Sequence, residues 1–377
     1  MALVTWSFPT LIVFGPGALD ALPGHVQRVS ARRPLVVADP GVRRAGLVDR
    51  VVAVLEGAGL ATAVFDGVDP NPVEKNIADG VAAYRAHGAD AVVSVGGGSP
   101  LDAGKLIALK TTHERPLVDY DDATGGDRFI GPNVPPTFTV PTTAGTGSEV
   151  GRSGVVTLAA NGRKTVIFSP YLLARAAILD PTLTVGLPAP ITAATGFDAL
   201  THCLEAFCAT GDHPMADGIA LMGLELTAQS LRRAVEKGDD LAARGAMMKA
   251  AMMGAVAFQK GLGACHSLAH PLSSEKGLHH GLANALCLPA VVELNSEVIA
   301  PKLDRVRRMF DESAPDLATA LRRLREAVGL PSGLRSQGVS EGDIPVLADK
   351  AFEDACHRSN PRPTTRDDLA RLYERSL

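Results

Sequence analysis

The sequence predicts an α/β domain followed by an all-helical domain, with the change near residue 185. In the first half, short β-branched runs alternate with helical stretches, which is typical of βαβ units around a parallel sheet. In the second half, long segments rich in Ala, Leu and Met contain few candidate strands. A chain of 377 residues also fits two domains better than one core. We therefore predict an α/β domain over residues 1–185 and a helical domain over residues 186–377.

Strand and helix patterns alternate along the first domain. Strands are predicted at residues 34–38, 61–65 and 91–95, with helices at residues 47–57 and 73–87 between them. The third strand runs into a triple glycine and a further helix. Two more strands are predicted at residues 137–140 and 176–179.

Apolar residues recur at three- and four-residue spacing in the second domain. This spacing predicts helices at residues 216–235, 240–256 and 317–328. A proline-flanked joint at residues 187–190 separates the two domains.

Composition and charge argue against several classes of protein. The net charge of −4 gives no basic surface for nucleic acid or an anionic membrane. The apolar N-terminus lacks a basic region and is broken by Pro9 and by the Gly-Pro-Gly at residues 15–17, so it predicts a strand and a turn rather than a signal peptide. No apolar run reaches the roughly 20 residues of a membrane helix. Five cysteines without a Cys-x-x-Cys pair favour a reduced, cytoplasmic setting.

A glycine-rich turn, GGGSP at residues 96–100, lies where the third predicted strand ends. Such a turn lets backbone N–H groups approach a pyrophosphate, and the N-terminus of the next helix favours an anion. It is not a P-loop, because Ser99 replaces a required Gly and Leu106 follows Lys105 where Ser or Thr should stand. The glycines alone are equally compatible with a tight turn that binds nothing.

Two further segments fit a nucleotide site. The Thr/Gly loop at residues 141–149 offers hydroxyls and flexible backbone, although such loops are often structural. Asp39 ends the first predicted strand, where a carboxylate can accept hydrogen bonds from both ribose hydroxyls and would repel the 2′-phosphate of NADP. The local sequence equally permits Asp39 to cap the helix or turn that begins at Pro40.

Histidines and one aspartate form two clusters in the helical half. Asp198 and His202 lie four residues apart, so both side chains leave the same helix face. His266 and His270 repeat that spacing, and a second His pair follows at residues 279–280. One such pair would often be structural, but two clusters flanked by small residues favour a metal site. A carboxylate with imidazoles suits Fe(II), Zn, Mn or Ni, and the spacing does not choose among them.

Four motifs in this order resemble the signatures of the iron-containing (group III) alcohol dehydrogenase family. They are GGGSPLDAGK, PTTAGTGSEV, GFDALTHCLEAF and CHSLAHPLSSEKGLHHGLANA. The similarity runs from Phe14 to the NPRP at residues 360–363. It implies a Rossmann-like N-terminal domain and an all-helical C-terminal domain in the dehydroquinate synthase-like fold. It also implies a homodimer that transfers hydride between a primary alcohol or hydroxy acid and NAD. The enzyme would use one divalent metal, for which Fe(II) is the first candidate.

The resemblance carries over to individual residues. It implies metal ligation by Asp198, His202, His266 and His280, with His270 near the nicotinamide as a proton shuttle and not a ligand. The positions that match cofactor contacts are Asp39, Asn71, Gly97, Gly98, Ser99, Asp102, Thr142, Thr143, Thr146 and Lys164.

The chain departs from the family near the expected substrate side. His279 stands where many relatives have Pro, and the spacing from His266 favours His280 over it as the ligand. Arg152 follows the PTTAGTGSEV motif, and Phe258 precedes Lys260 in a segment one residue shorter than usual. Two additional cations predict a small anionic substrate such as 4-hydroxybutyrate, with its carboxylate near Lys260.

Related enzymes offer alternatives. Glycerol dehydrogenases use one Asp and two His, so His202 argues against them, and maleylacetate reductases lack the full ligand set. A dehydroquinate synthase-like lyase would need a more basic site. A non-catalytic nucleotide-binding metalloprotein would hold its metal in a closed site, whereas a catalytic metal keeps an open position.

Overall fold

The computed structural model describes residues 10–159 and 162–377, so the apolar residues 1–9 lie outside the described part. The chain divides into two compact units. The sheet unit ends at Gly186, next to the predicted boundary. The helical unit begins at Leu187 and also contains the short segment Ala144–Thr146, which the sequence assigned to the first domain.

Six strands of the sheet unit form one parallel sheet in the order β1-β8-β5-β4-β2-β3, which confirms the predicted parallel arrangement. The glycine-rich turn follows β4, which lies between β5 and β2. The predicted strands are present, although β3 is shorter than expected. The strands are β1 (Leu11–Phe14), β2 (Pro34–Val37), β3 (Ala63–Phe65), β4 (Ala91–Gly96), β5 (Thr137–Pro141), β6 (Ser153–Thr157), β7 (Lys164–Phe168) and β8 (Ala176–Leu179).

Helices cover both faces of this sheet. Alternate residues of a strand point to opposite faces, and all four residues of β2 are buried, so both faces need a covering layer. Leu35 and Val37 of β2 belong to one core with Ile77 and Leu106, and Val36 belongs to the other. The helices are α1 (Leu22–Arg28), α2 (Pro40–Arg44), α3 (Leu47–Gly57), α4 (Glu74–His87) and α5 (Gly98–Thr112).

The antiparallel hairpin of β6 and β7 was not predicted. Its strands alternate buried and less buried residues, with Gly154, Val156, Thr165 and Ile167 on the buried side. This period-two pattern is typical of a half-buried ribbon, so the signal was present in the sequence.

The helical unit surrounds α6, in which every residue from Thr192 to Cys208 is buried. The three predicted helices correspond to α7, α8 and α11, with ends shifted by one or two residues. The helices are α6 (Ala189–Cys208), α7 (Pro214–Glu236), α8 (Leu241–Ala257), α9 (Ala264–Lys276), α10 (His280–Phe310), α11 (Leu317–Ala327), α12 (Ile344–Glu353) and α13 (Arg366–Ser376).

Two helical stretches, Leu241–Lys260 and His280–Phe310, are long and apolar enough to cross a membrane by length and composition alone. Within each stretch, the most apolar segment of 18 residues is mostly buried in the fold, to 61% and 67% respectively. Core helices of soluble proteins pass the same test, so these stretches are weak evidence for a membrane.

Candidate active site

The buried helix α6 supplies the first two candidate metal ligands. Asp198 and His202 are one helical turn apart and both are almost fully buried. The Oδ1 atom of Asp198 lies 4.0 Å from Nε2 of His202. A polar pair at this depth requires partners, which other helices provide.

Two further imidazoles come from the N-terminal ends of α9 and α10. His266 lies in the first turn of α9, and His280 is the first residue of α10. Their Nε2 atoms lie 4.0 Å and 3.5 Å from Oδ1 of Asp198. Together with His202, three imidazole Nε2 atoms therefore surround one carboxylate oxygen.

Glycines let the helices approach closely enough for this cluster to form. A Cβ atom at Gly281 of α10 would lie 2.1 Å from the carbonyl oxygen of Ala194 on α6. A Cβ atom at Gly254 of α8 would lie 2.9 Å from Cβ of His202. These backbones pack where no side chain fits, so glycine sets the positions of the ligands.

The cluster fits a metal better than it fits a hydrogen-bond network. Nε2 of His266, which faces Asp198, is buried without a hydrogen-bond partner among the described residues, which is rare in folded proteins. Burial lowers the pKa of His202 to about 4, against the opposing charge of Asp198. Burial likewise holds the pKa of His280 well below its usual value. The neutral imidazoles of His202 and His280 beside a carboxylate are suitable ligands for a divalent ion.

The neighbouring histidines at residues 279 and 280 differ in their geometry. His280 directs Nε2 toward Asp198, whereas His279 is the residue that precedes the first turn of α10. This arrangement supports His280 as the ligand, in agreement with the sequence.

Two residues that the sequence analysis missed support the ligands. The carboxylate of Glu205 lies 2.5 Å from Nδ1 of His266. The amide nitrogen of Asn284 donates to Oδ1 of Asp198 at 2.9 Å and lies 3.3 Å from Nε2 of His280. Glu205 follows His202 by three residues and Asn284 follows His280 by four, so helical spacing around the ligands could have identified both.

His270 lies beside the cluster and is oriented by a third missed residue, Asp354. Its ring centroid is 5.3 Å from that of His280, and Nδ1 lies 2.8 Å from Oδ2 of Asp354. Oδ1 of Asp354 accepts from Ser267 at 2.7 Å and from the backbone of Cys356 at 2.8 Å. Burial alone would raise the pKa of Asp354, but His270 and these hydrogen bonds lower it, so the group is a carboxylate. The hydrogen bond at Nδ1 fixes the orientation of the His270 ring.

In the sheet unit, the glycine-rich turn joins β4 to α5. Gly96 has a φ of +143°, and a Cβ atom there would lie 2.4 Å from Cγ of Pro100, so glycine is required. Gly97 precedes the first turn of α5, which begins at Gly98. The hydroxyl of Ser99 donates to the carbonyl of Pro70 at 2.5 Å. This bond holds the loop that contains the exposed Asn71 against the turn.

Asp39 occupies the helix-cap position that its sequence context permits, and it also lies beside the glycine-rich turn. Its Oδ1 caps α2, accepting from Gly41 at 2.7 Å and Val42 at 2.9 Å. Its Oδ2 lies 3.4 Å from the position of a Cβ atom at Gly96. The carboxylate is therefore both a helix cap and a neighbour of the glycine-rich turn.

Asp102 belongs to a buried ionic network below the same turn. It accepts from the hydroxyl of Ser148 and from the backbone of Val155 at 3.2 Å, and lies 3.6 Å from Nζ of Lys105. The Nζ of Lys105 also donates to Ser148 and to the carbonyl of Ser153, so it is not a phosphate-binding lysine. Burial lowers the pKa of Lys164, and the charge of Asp102 opposes this shift.

The predicted threonines are divided between the two units. Thr142 is buried and donates its backbone N–H to Gly96 at 2.9 Å. The hydroxyl of Thr143 lies 3.4 Å from the position of a Cβ atom at Gly97. Thr146 belongs to the helical unit with Ala144.

The predicted substrate role of Lys260 is wrong. Its side chain is only 1% exposed and forms an ion pair with Asp217, and its Nζ donates to the carbonyl of Phe207 at 3.1 Å. This cation is already neutralised within the helical unit. Phe258 does border the cluster, with its ring centroid 5.2 Å from that of His202.

Arg152 is half-buried in the sheet unit and places its guanidinium over the ring of Phe168, 5.2 Å from the centroid. Burial lowers its pKa, but an arginine remains cationic at neutral pH. Of the two predicted substrate cations, only Arg152 therefore remains a candidate.

Comparison with known proteins agrees with this arrangement. Residues 9–181 match the family described as iron-containing alcohol dehydrogenase, and residues 192–377 match the C-terminal region of the same family. A 4-hydroxybutyrate dehydrogenase from Cupriavidus necator is 43% identical over 371 residues, covering 96% of each chain. The crystal structure of a 1,3-propanediol oxidoreductase, 36% identical, superimposes with a TM-score of 0.95 over the whole of both chains.

A sulfoacetaldehyde reductase from Bifidobacterium kashiwanohense, solved in complex with NAD⁺, is 27% identical, with a TM-score of 0.90 over 100% of this chain and 99% of the other. These similarities confirm the fold, and they make the chain a metal-dependent, NAD-linked alcohol dehydrogenase. The chain belongs to the iron-containing alcohol dehydrogenase family.

Proposed function

We propose that Asp198, His202, His266 and His280 bind one divalent metal, with Fe(II) as the first candidate, at which a small alcohol or hydroxy acid is oxidised with NAD. The observation that supports this most is the convergence of three imidazole Nε2 atoms on Oδ1 of Asp198. A homodimer in the cytoplasm is part of the same proposal.

Most of the residues that would hold the cofactor belong to the sheet unit. The backbone of Gly97 and Gly98 at the start of α5 would receive the pyrophosphate. Thr142 and Thr143 line the same turn, and Ser99 fixes the adjoining loop. Asp102 supports the turn from within through its contacts with Ser148 and Val155, and Asn71, Thr146 and Lys164 remain predicted contacts.

A bound divalent metal supplies Lewis-acid polarisation of the alcohol oxygen, and a bound nicotinamide accepts the hydride. The chain's own residues orient and move the proton. Asp354 fixes the ring of His270 through Nδ1, so that Nε2 is the atom that accepts and releases a proton. Phe258 packs against His202 and excludes water from one side of the ligand cluster.

For the substrate we propose a short hydroxy acid such as 4-hydroxybutyrate, with Arg152 as the cation that recognises its carboxylate. The similarity to the 4-hydroxybutyrate dehydrogenase supports this choice. The similarity to the 1,3-propanediol oxidoreductase makes a short neutral diol the second candidate. A charge-assisted hydrogen bond contributes about 1.5–3 kcal/mol, or roughly one to two decades in selectivity.

We expect the metal-loaded enzyme to oxidise 4-hydroxybutyrate with a kcat/KM about ten- to a hundredfold above that for 1-butanol, for the reason just given. Arg152→Met should reduce this ratio to near one, and the same substitution at the exposed Arg175 should leave it unchanged. The measurement is NADH formation with 4-hydroxybutyrate, 1-butanol and 1,3-propanediol. Equal efficiency on acid and alcohol in the wild type would reject the acid, and a preference for the diol would support the second candidate.

Asp39 should make the enzyme prefer NAD over NADP. A carboxylate that faces the 2′-phosphate of NADP costs a few kcal/mol, or roughly two to three decades in selectivity. Asp39→Asn removes the charge but keeps an oxygen that can cap α2, so the fold should be preserved. The ratio of kcat/KM for the two cofactors measures the effect. A wild type that uses NADP as efficiently as NAD would contradict the assignment.

A further inference from the structure

Glu205 is a buried carboxylate that is neither a proposed metal ligand nor a proposed cofactor contact. It lies on α6, and its side chain is 5% exposed. Its Oε1 accepts the backbone N–H of Cys265 at 2.7 Å, and its Oε2 lies 2.5 Å from Nδ1 of His266. The backbone N–H of His266 also points to Oε2, at 3.4 Å. A Cβ atom at Gly263 would lie 2.7 Å from Oε1, so the chain leaves space for the carboxylate.

These contacts fix His266 in two ways. The backbone N–H groups of Cys265 and His266, in the first turn of α9, donate to the carboxylate of Glu205. These hydrogen bonds anchor the part of the helix that carries the His266 ring. The Nδ1–H of the ring donates to the same carboxylate, so the lone pair is on Nε2. That atom lies 4.0 Å from Oδ1 of Asp198 and has no hydrogen-bond partner.

The charges of the site also support a role for Glu205 in metal binding. Asp198 is the one carboxylate among the proposed ligands, and burial leaves little water to balance a divalent ion. Glu205 adds a second negative charge one imidazole ring away. A 2+ ion with Asp198 and Glu205 has a net charge of zero, whereas a neutral side chain at position 205 would leave +1.

We propose that Glu205 is a positioning residue that fixes His266 for metal binding and supplies the second charge that balances the ion. This inference rests on the proposed metal site. Carboxylates that accept from a metal-bound histidine raise the basicity of the ring, and their removal typically weakens metal affinity by about 10- to 100-fold.

The test is Co²⁺ binding to the metal-stripped full-length chain, measured by competition with a chelator and by the visible spectrum of the bound ion. We expect Glu205→Gln to raise the Kd by about 10- to 100-fold, by analogy with other such partners. Because glutamine keeps an acceptor for the N–H of Cys265, the melting temperature of the metal-free protein should change little. Glu205→Asp keeps the charge and should bind Co²⁺ more tightly than the glutamine variant. The same change at the exposed Glu225 is the matched control and should alter neither quantity.

The outcomes separate the two proposals. A wild type that binds no Co²⁺ would reject the metal site itself. A wild type that binds Co²⁺ no more tightly than Glu205→Gln would overturn only the role of Glu205. Equal affinities of the glutamine and aspartate variants would show that the charge is irrelevant and would also overturn it. If Glu205→Gln does not fold, Glu205→Asp decides alone: a raised Kd with a changed visible spectrum would support the inference, and a Kd and a spectrum equal to those of the wild type would overturn the positioning role.

Discussion

His280→Ala should remove bound metal and alcohol oxidation, while His279→Ala should retain both. The Nε2 of His280 lies 3.5 Å from Oδ1 of Asp198, within the group of imidazole nitrogens that would share the ion. His279 instead precedes the first turn of α10. If a total binding free energy of about 10–16 kcal/mol is divided over four ligands, each one is worth about 2.5–4 kcal/mol, or roughly two to three decades in affinity.

Metal content after dialysis, together with NADH formation, measures this difference. His266→Ala should behave like His280→Ala, because both rings are proposed ligands. Full metal occupancy in His280→Ala with loss in His279→Ala would reverse the assignment of the two neighbours. The pair is a strict comparison because it removes the same ring from adjacent positions.

Gly281→Ala should impair the metal site without changing any ligand. The added Cβ atom would lie 2.1 Å from the carbonyl oxygen of Ala194 and 3.2 Å from Cβ of Asp198. Because the nearest atom belongs to the backbone of α6, the start of α10 has to move away and take His280 with it. Overpacking of this kind costs about 1–3 kcal/mol in folding free energy. A displacement near 1 Å can cost about a hundredfold in activity.

Gly218→Ala is the matched control, because Gly218 lies in α7 with no atom within 4 Å of the added Cβ. Alanine is favoured over glycine by up to about 1 kcal/mol within a helix, so this variant should be as stable as the wild type or more stable. Metal affinity and the free energy of unfolding are measured for both variants. Wild-type metal affinity in Gly281→Ala would mean that α10 adjusts without moving His280.

Local patterns carried most of the fold prediction. The parallel sheet follows from strand–helix alternation, and helices α7, α8 and α11 follow from apolar spacing. The hairpin of β6 and β7 was missed although its alternation is visible, because it directly follows the Thr/Gly loop at residues 141–149, and the prediction assigned no regular structure to that region.

The candidate ligands were also predictable, because Asp198 and His202 share one helix face. The ligand that each supporting residue contacts was not predictable, because those contacts join distant parts of the chain. His270 meets Asp354 84 residues later, and Glu205 meets His266 61 residues later. The error at Lys260 has the same origin, because its partner Asp217 lies 43 residues earlier and only the fold brings them together.

The metal site also bears on how firmly the helical unit holds together. The proposed ligands belong to α6, α9 and α10. The ligand Asp198 and the residue that supports it, Asn284, are 86 residues apart in the chain. An ion held by all three helices would cross-link them in the folded state and would have to be released when they separate. Free metal at a hundred times its Kd adds about 2.7 kcal/mol to the folded state. The resistance of this unit to heat and proteases would therefore depend on the supply of metal as well as on the sequence.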